Sequence, residues 1–149
     1  MQYHWLNKQN NKKLIIFFAG WSFDYKTFEF LECGDFDVLM LYDYNNLEIP
    51  EKYFLISWSM GVFTAYLLKD KLPNFSKKIA VNGTPFPVND DFGIPLKPFL
   101  LTLRHAKTGL EGKFYQNIFA KTEEYNRYNC SAVERPIENR VSELNSLYE

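Results

Sequence analysis

The sequence predicts an α/β fold: a mainly parallel sheet with flanking helices and a helical cap. Three observations predict it. Apolar runs of strand length, at Leu14–Phe18, Asp37–Tyr42 and residues 53–56 and 78–82, are separated by segments of helical character, the pattern of strands joined by crossovers. The first runs are continuously apolar, as expected of strands buried on both faces of a parallel sheet. Residues 96–149 carry helical spacings but no convincing strand.

At 149 residues the chain predicts one domain with a sizeable core. With 14 Phe, 10 Tyr and 3 Trp, that core should be built from large rings. A net charge of −1 gives no general reason to expect nucleic acid as a partner. Cys33 and Cys130 lie far apart and match no metal-site spacing, which fits a reduced cytoplasmic protein better than a disulfide scaffold. The N-terminal Met-Gln-Tyr-His-Trp-Leu-Asn-Lys lacks the basic-then-apolar order of a signal peptide, and no apolar run reaches membrane-spanning length.

In chain order, residues 3–6 read as a short strand and residues 7–13 as an Asn-rich polar turn. The strand Leu14–Phe18 ends in Ala19-Gly20-Trp21-Ser22. Asp24 can cap a short helix running through Phe28 and Leu31. The strand Asp37–Tyr42 leads to a turn at Asp43-Tyr-Asn-Asn46. The strand at 53–56 runs into a helix that continues from Val62 to Leu72, stopped by Pro73 and Asn74. The strand at 78–82 is closed by Gly83-Thr-Pro85. Pro85, Pro87, Pro95 and Pro98 mark a loop containing Asp90 and Asp91, and Leu96 to Arg104 reads as a short helix. Leu110, Phe114 and Ile118 recur at helical spacing, and Ile137, Val141, Leu144 and Leu147 line one side of a last helix after Pro136. Residues 1–95 thus read as a sheet core and 96–149 as a helical cap over one end of it.

Between the 53–56 strand and its helix stands Ser57-Trp58-Ser59-Met60-Gly61, small-x-Ser-x-Gly. That is the pattern of a nucleophile elbow with serine at its first small position. A strand that reverses sharply into a helix forces its middle residue into a strained conformation and pushes that side chain out over the sheet end. Small residues at 57 and 61 let strand and helix pass closely, and the helix N-terminus aims amides at the same place. Ser59 is then the nucleophile; the alternative is a serine capping an ordinary strand-to-helix turn. In such a corner one oxyanion donor is the N–H after the nucleophile, here Met60, and the second follows an early strand, here Trp21. The Trp21 and Trp58 rings either wall an acyl pocket or are core aromatics. Serine chemistry of this kind needs no metal or cofactor, only proton and acyl transfer.

A base is harder to find. His4 lies in the first strand and reads as structural. His105 completes the order Ser59, Asp90 or Asp91, His105, but it falls on a cap helix rather than in a loop after a late strand. Asp90 and Asp91 read equally as turn or capping residues.

Four stretches carry a family resemblance: Phe17-Phe-Ala-Gly-Trp21, Val38 to Tyr44 with its Leu-Tyr-Asp-Tyr, Ile56-Ser-Trp-Ser-Met-Gly61 and Val81-Asn-Gly-Thr-Pro-Phe-Pro87. In these the chain resembles the BioG-type pimeloyl-acyl-carrier-protein methyl esterases, an α/β-hydrolase family of biotin synthesis. The resemblance implies that Ser59 attacks the methyl ester of pimeloyl-carrier protein and releases methanol. It also implies that the family's last strands, with their acidic residue and Gly-His, are missing from this chain, leaving the 78–82 strand as an unpaired edge. Two alternatives stand beside that function: a catalytically inactive fragment or carrier-binding module, and a generic esterase or thioesterase. Lys97, Arg104, Lys107 and Lys113 against Glu111 make the first part of the cap basic. Arg104 and Lys107 are candidate contacts for the acidic acyl-carrier protein, or simply a solvated surface.

Overall fold

The structure, a computed structural model, describes residues 2–11, 13–44, 53–72, 75–108, 113–128 and 135–148. The expected turn at Asn45 and Asn46, the stop at Pro73 and Asn74, and Leu110, Glu111 and Cys130 lie outside the described residues.

Five strands, β1 (Gln2–Asn7), β2 (Leu14–Phe18), β3 (Asp37–Tyr42), β4 (Tyr53–Trp58) and β5 (Phe75–Val81), form one sheet in the order β1-β3-β2-β4-β5. β2 to β5 run parallel, and β1 closes one edge antiparallel to β3. The continuous apolar runs are explained by the alternation of side chains across the sheet. Ile16, Phe18, Leu39 and Leu41 pack with Tyr53, Leu55 and Ala65 on one face, while Phe17, Val38, Met40 and Tyr42 pack on the other.

Helix α1 (Met60–Leu67) starts immediately after Ser59 and ends earlier than its sequence suggests. Leu68 leaves helical geometry and Lys69–Lys71 forms a single 3-10 turn. The charged Lys-Asp-Lys segment stays exposed while the turn swings Leu72, 1% exposed, into the core beside Ile16 and Phe18. Burying that leucine outweighs another helical turn in water. β5 begins three residues before its apolar run, because Phe75 pairs with Tyr53 and packs against the core, whereas Ser76, Lys77 and Lys78 hide the pattern. Its outer edge has no partner strand among the described residues, and Ile79 and Val81 are exposed. Lysines on such an edge oppose unwanted strand pairing.

Among the described residues four helices follow: α2 (Leu96–Ala106), α3 (Lys113–Gln116), α4 (Thr122–Tyr128) and α5 (Ile137–Asn145). α4 carries no apolar stripe in Thr-Glu-Glu-Tyr-Asn-Arg-Tyr that the sequence could signal; Tyr125 packs inward against Phe119. Of the helical face expected over Leu110, Phe114 and Ile118, the described part is α3, which carries Phe114 and ends before Ile118. Phe99 of α2, Tyr115 of α3 and Leu144 of α5 bury themselves against Trp21 and Met60, so these helices sit over the C-terminal ends of β2 and β4. A buried ionic group braces the same region. Arg135 Nη1 lies 3.0 Å from Glu143 Oε2, and its Nη2 lies 3.5 Å from Asp43 Oδ1.

Candidate active site

The sheet order places a crevice before any side chain is considered. The chain steps from β2 to β3 in one direction and from β3 across to β4 in the other, so the loops leaving β2 and β4 diverge. A parallel sheet binds ligands at such a point, outside the C-terminal strand ends. Phe18 pairs with Ser57 there, and the segments at 19–22 and 59–60 emerge side by side.

Ser59 has φ 52° and ψ −122°, a left-handed conformation costly for a residue with a Cβ. The flanking structure holds it there: its N–H donates to Val81 O at 3.0 Å, and its carbonyl accepts from Val62 N–H at 3.0 Å. Ser59 Oγ has no hydrogen-bond partner among the described residues. Gly61 lies where α1 crosses β2 so closely that a Cβ would stand 2.5 Å from Phe18 O and 2.8 Å from Ala19 O. Gly20 brings the second turn equally near, because a Cβ there would meet the Trp58 ring at 2.8 Å and Ser59 Cβ at 3.3 Å. The main-chain N–H groups of Trp21 and Met60 have no acceptor among the described residues.

Ser59, Trp21, Met60 and Trp58 all line one cleft of about 660 Å³, together with Phe99 and Phe114. The Trp58 ring packs against Phe23 and Phe28, and the Trp21 indole meets Phe114 edge to face. Each tryptophan is therefore a packed aromatic that also presents a surface to the cleft. Among the described lining residues there is no imidazole and no carboxylate.

The other candidate residues lie elsewhere. His105 is exposed near the end of α2 and does not line the cleft. His4 stacks on Tyr25 at 3.8 Å, in the strand at the far edge of the sheet. Asp90 Oδ1 accepts the Leu96 N–H at 3.1 Å and so caps the start of α2, while the Asp91 N–H donates to Asn89 Oδ1 at 2.9 Å within a turn. Lys97, Arg104 and Lys107 are exposed along α2; the side chain of Lys113 lies outside the described residues. We expect His105→Ala and Asp90→Ala to leave reactivity at Ser59 unchanged within about two-fold, and Asp90→Ala to cost about 1 kcal/mol as a lost cap. A rate falling by orders of magnitude in either variant would restore it to the site.

Among the described residues no three His, Cys, Asp or Glu side chains gather as a metal site, and no helix is long and apolar enough to cross a membrane. Sequence reasoning missed a set of buried polar contacts behind the 19–22 turn. Ser22 Oγ and Tyr115 OH are 2.8 Å apart, Arg140 Nη1 donates to Tyr115 OH at 3.1 Å, and Trp21 Nε1 donates to Arg140 O at 2.8 Å. These residues lie too far apart in the chain for any local spacing to have signalled them.

The parallel sheet, the strained serine corner and the crevice beside it define a protein of the α/β-hydrolase type. Two solved structures share that fold at low identity. One belongs to the carboxylesterases of Nitrososphaera gargenis, with a TM-score of 0.67, 13% identity, and 99% of this chain and 67% of that one covered. The other is a lipase-esterase related protein from Clostridium acetobutylicum, with a TM-score of 0.58, 16% identity, and 96% and 69% covered. The chain belongs to the BioG family: the family model described as pimeloyl-ACP methyl esterase BioG matches residues 1–149. The crystal structure of BioG from Haemophilus influenzae superposes with a TM-score of 0.79 at 29% identity, covering 99% of this chain and 71% of that one. In sequence the chain is 32% identical over 141 residues to a malonyl-[acyl-carrier protein] O-methyltransferase of Bacteroides fragilis, covering 89% of this chain and 29% of that protein. It is 31% identical over 142 residues to an uncharacterized Haemophilus influenzae protein, covering 91% and 65%. The chain thus spans less than two thirds of either curated relative.

Proposed function

We propose that this chain carries the nucleophile and oxyanion half of a serine carboxylesterase acting on the methyl ester of a pimeloyl-acyl-carrier protein, in the cytoplasm. This reading is supported by the strained Ser59 corner, with Trp21 and Met60 lining the same cleft. In the proposed reaction Ser59 Oγ attacks the ester carbonyl carbon, and the developing oxyanion is held by the two amides. Collapse expels methoxide, which leaves as methanol once protonated. Water then attacks the acyl-serine and frees the carboxylic acid and the serine. Aliphatic substrate carbons are suited to the Trp58, Phe99 and Phe114 walls. Exposed Arg104 and Lys107 are suited to an acidic carrier protein.

Both proton transfers need a base, and none lines the cleft among the described residues. Within this reading the base comes from outside the described lining of the cleft. The missing imidazole also favours a second reading, a carrier-binding module without turnover.

Fluorophosphonate labelling followed by intact-mass analysis separates the two. The expected result is slow phosphonylation of Ser59, lost in Ser59→Ala and accelerated by added imidazole, which takes the proton in place of the absent base. Folded protein that stays unmodified with imidazole present would remove the hydrolase reading and leave the binding module.

A further inference from the structure

The turn that carries the Trp21 amide is not a stable shape on its own. Ser22 has φ 72°, a conformation that costs a non-glycine residue on the order of 1 kcal/mol. It is nevertheless fully buried, so its hydroxyl must find partners inside the protein. They come from the helices above the sheet. A guanidinium can only donate, so Tyr115 OH accepts from Arg140 Nη1 at 3.1 Å, and it shares a second hydrogen bond of 2.8 Å with Ser22 Oγ in which either hydroxyl can be the donor. Arg140 Nη1 also reaches Ser22 Oγ at 3.5 Å. The carbonyl of Arg140 fixes the neighbouring indole through Trp21 Nε1. Two consecutive residues of the turn are thus gripped by α3 and α5, in a region shielded from water, where such bonds are strong and costly to break.

We infer that Ser22, Tyr115 and Arg140 are positioning residues: through the Ser22 hydroxyl and the Trp21 indole they hold the Trp21 amide turned toward Ser59. This rests on the hydrolase reading above for its chemical consequence, though not for its geometry. None of the three lines the cleft, so each acts through the turn rather than on substrate. The helical layer would then be part of the catalytic apparatus as well as the roof of the pocket, and loosening α5 would disable the oxyanion site without touching Ser59.

The test compares wild type with Tyr115→Phe, Arg140→Met and Arg140→Lys in the full chain, all with the same added imidazole. Two measurements run in parallel: the maximal rate and half-saturation of fluorophosphonate labelling, and amide hydrogen exchange over residues 19–23. Tyr115→Phe and Arg140→Met should lower the maximal labelling rate about 10- to 100-fold, less than the roughly 100- to 1,000-fold that follows outright removal of an oxyanion donor. Half-saturation should stay within about two-fold, because the apolar walls are untouched. Arg140→Lys should recover much of the rate, since an ammonium can still donate to the Tyr115 hydroxyl. Exchange should quicken at 19–23 in Tyr115→Phe and stay unchanged in β2, β3 and β4.

An unchanged labelling rate in Tyr115→Phe and Arg140→Met, or a Lys variant no better than the Met variant, would overturn the inference while leaving Ser59 as the nucleophile. If wild type itself is not labelled at Ser59, the hydrolase reading falls and hydrogen exchange alone decides the clamp. Faster exchange confined to 19–23 then supports it, and exchange identical to wild type overturns it.

Discussion

Gly61→Val is expected to lose about 3 kcal/mol or more of unfolding free energy, and Gly61→Ala nearly as much. The first added carbon already decides the matter, because it would stand 2.5 Å from Phe18 O and 2.8 Å from Ala19 O. Phe18 ends the strand that pairs on both sides, with β3 and with β4, and Ala19 O directly after it accepts from Tyr44 OH, so neither carbonyl can move without breaking hydrogen bonds. A side chain in the way can rotate; a carbonyl in a central strand cannot. The only relief is for α1 to lift off β2, which would open the core around Ala65 and release the strain at Ser59. Against a typical domain stability of about 5–15 kcal/mol this is a large fraction. Urea denaturation gives the stability change, and Ser59 labelling should fall with it. A Gly61→Ala protein as stable as wild type would show that helix and strand are not in close approach here.

Arg135→Met is expected to cost about 3–5 kcal/mol near neutral pH, the range for breaking a buried ion pair from one side. Arg135 is 7% exposed and stands between Asp43 and Glu143. Without the guanidinium two carboxylates face each other in a region with little water to screen them. The cost should depend on pH in a definite direction. Burial pushes the Glu143 carboxyl above its ordinary value of 4.5; Arg135 and the Ser22 N–H pull it down, and Asp43 adds to the rise. A carboxyl whose folded pKa is raised binds more protons in the native state than in the unfolded state. Its contribution is therefore most favourable below 4.5 and is lost as pH rises through the folded pKa. Removing Arg135 takes away the main opposing attraction, so the variant's loss should extend to higher pH and become steeper. The difference between wild type and variant, measured by urea at about pH 8 and again at about pH 4.5, should shrink at the lower value. A pH-independent difference would mean that Arg135 acts by packing alone. Adding Glu143→Gln to the variant should recover part of the loss, since it removes one of the two facing charges.

Much of the sheet could be read from spacing because the determinants are local. Leu14–Phe18 and Asp37–Tyr42 are apolar at every position or nearly so, and only a strand covered on both faces uses such a run. The serine corner was legible for a similar reason: small residues at 57 and 61 bracket the reversal, and the apolar stretches on either side have strand and helix length. Legibility failed where position in the sheet overrode composition. β5 begins under polar residues because Phe75 packs against the core while the positions that follow it are exposed, so Ser76 to Lys78 face water without penalty. α1 ends early because Leu72 has a place in the core that a longer helix would deny it. α4 has no apolar stripe, and its Tyr125 packs on Phe119, a contact that no helical spacing signals.

The candidate site divides along the same line. Residue order alone was enough for the parallel sheet, for Ser59 at the reversal and for the pairing of Met60 with a turn near Trp21, since each is written within a few adjacent residues. Three-dimensional packing was needed to learn that His105 lies outside the cleft, that Asp90 caps a helix, and that Ser22, Tyr115 and Arg140 meet behind the turn. The physical reason is separation: Ser22 and Tyr115 are 93 residues apart, and Ser22 and Arg140 are 118 apart. No local period encodes such meetings; they exist only once the helices close over the sheet.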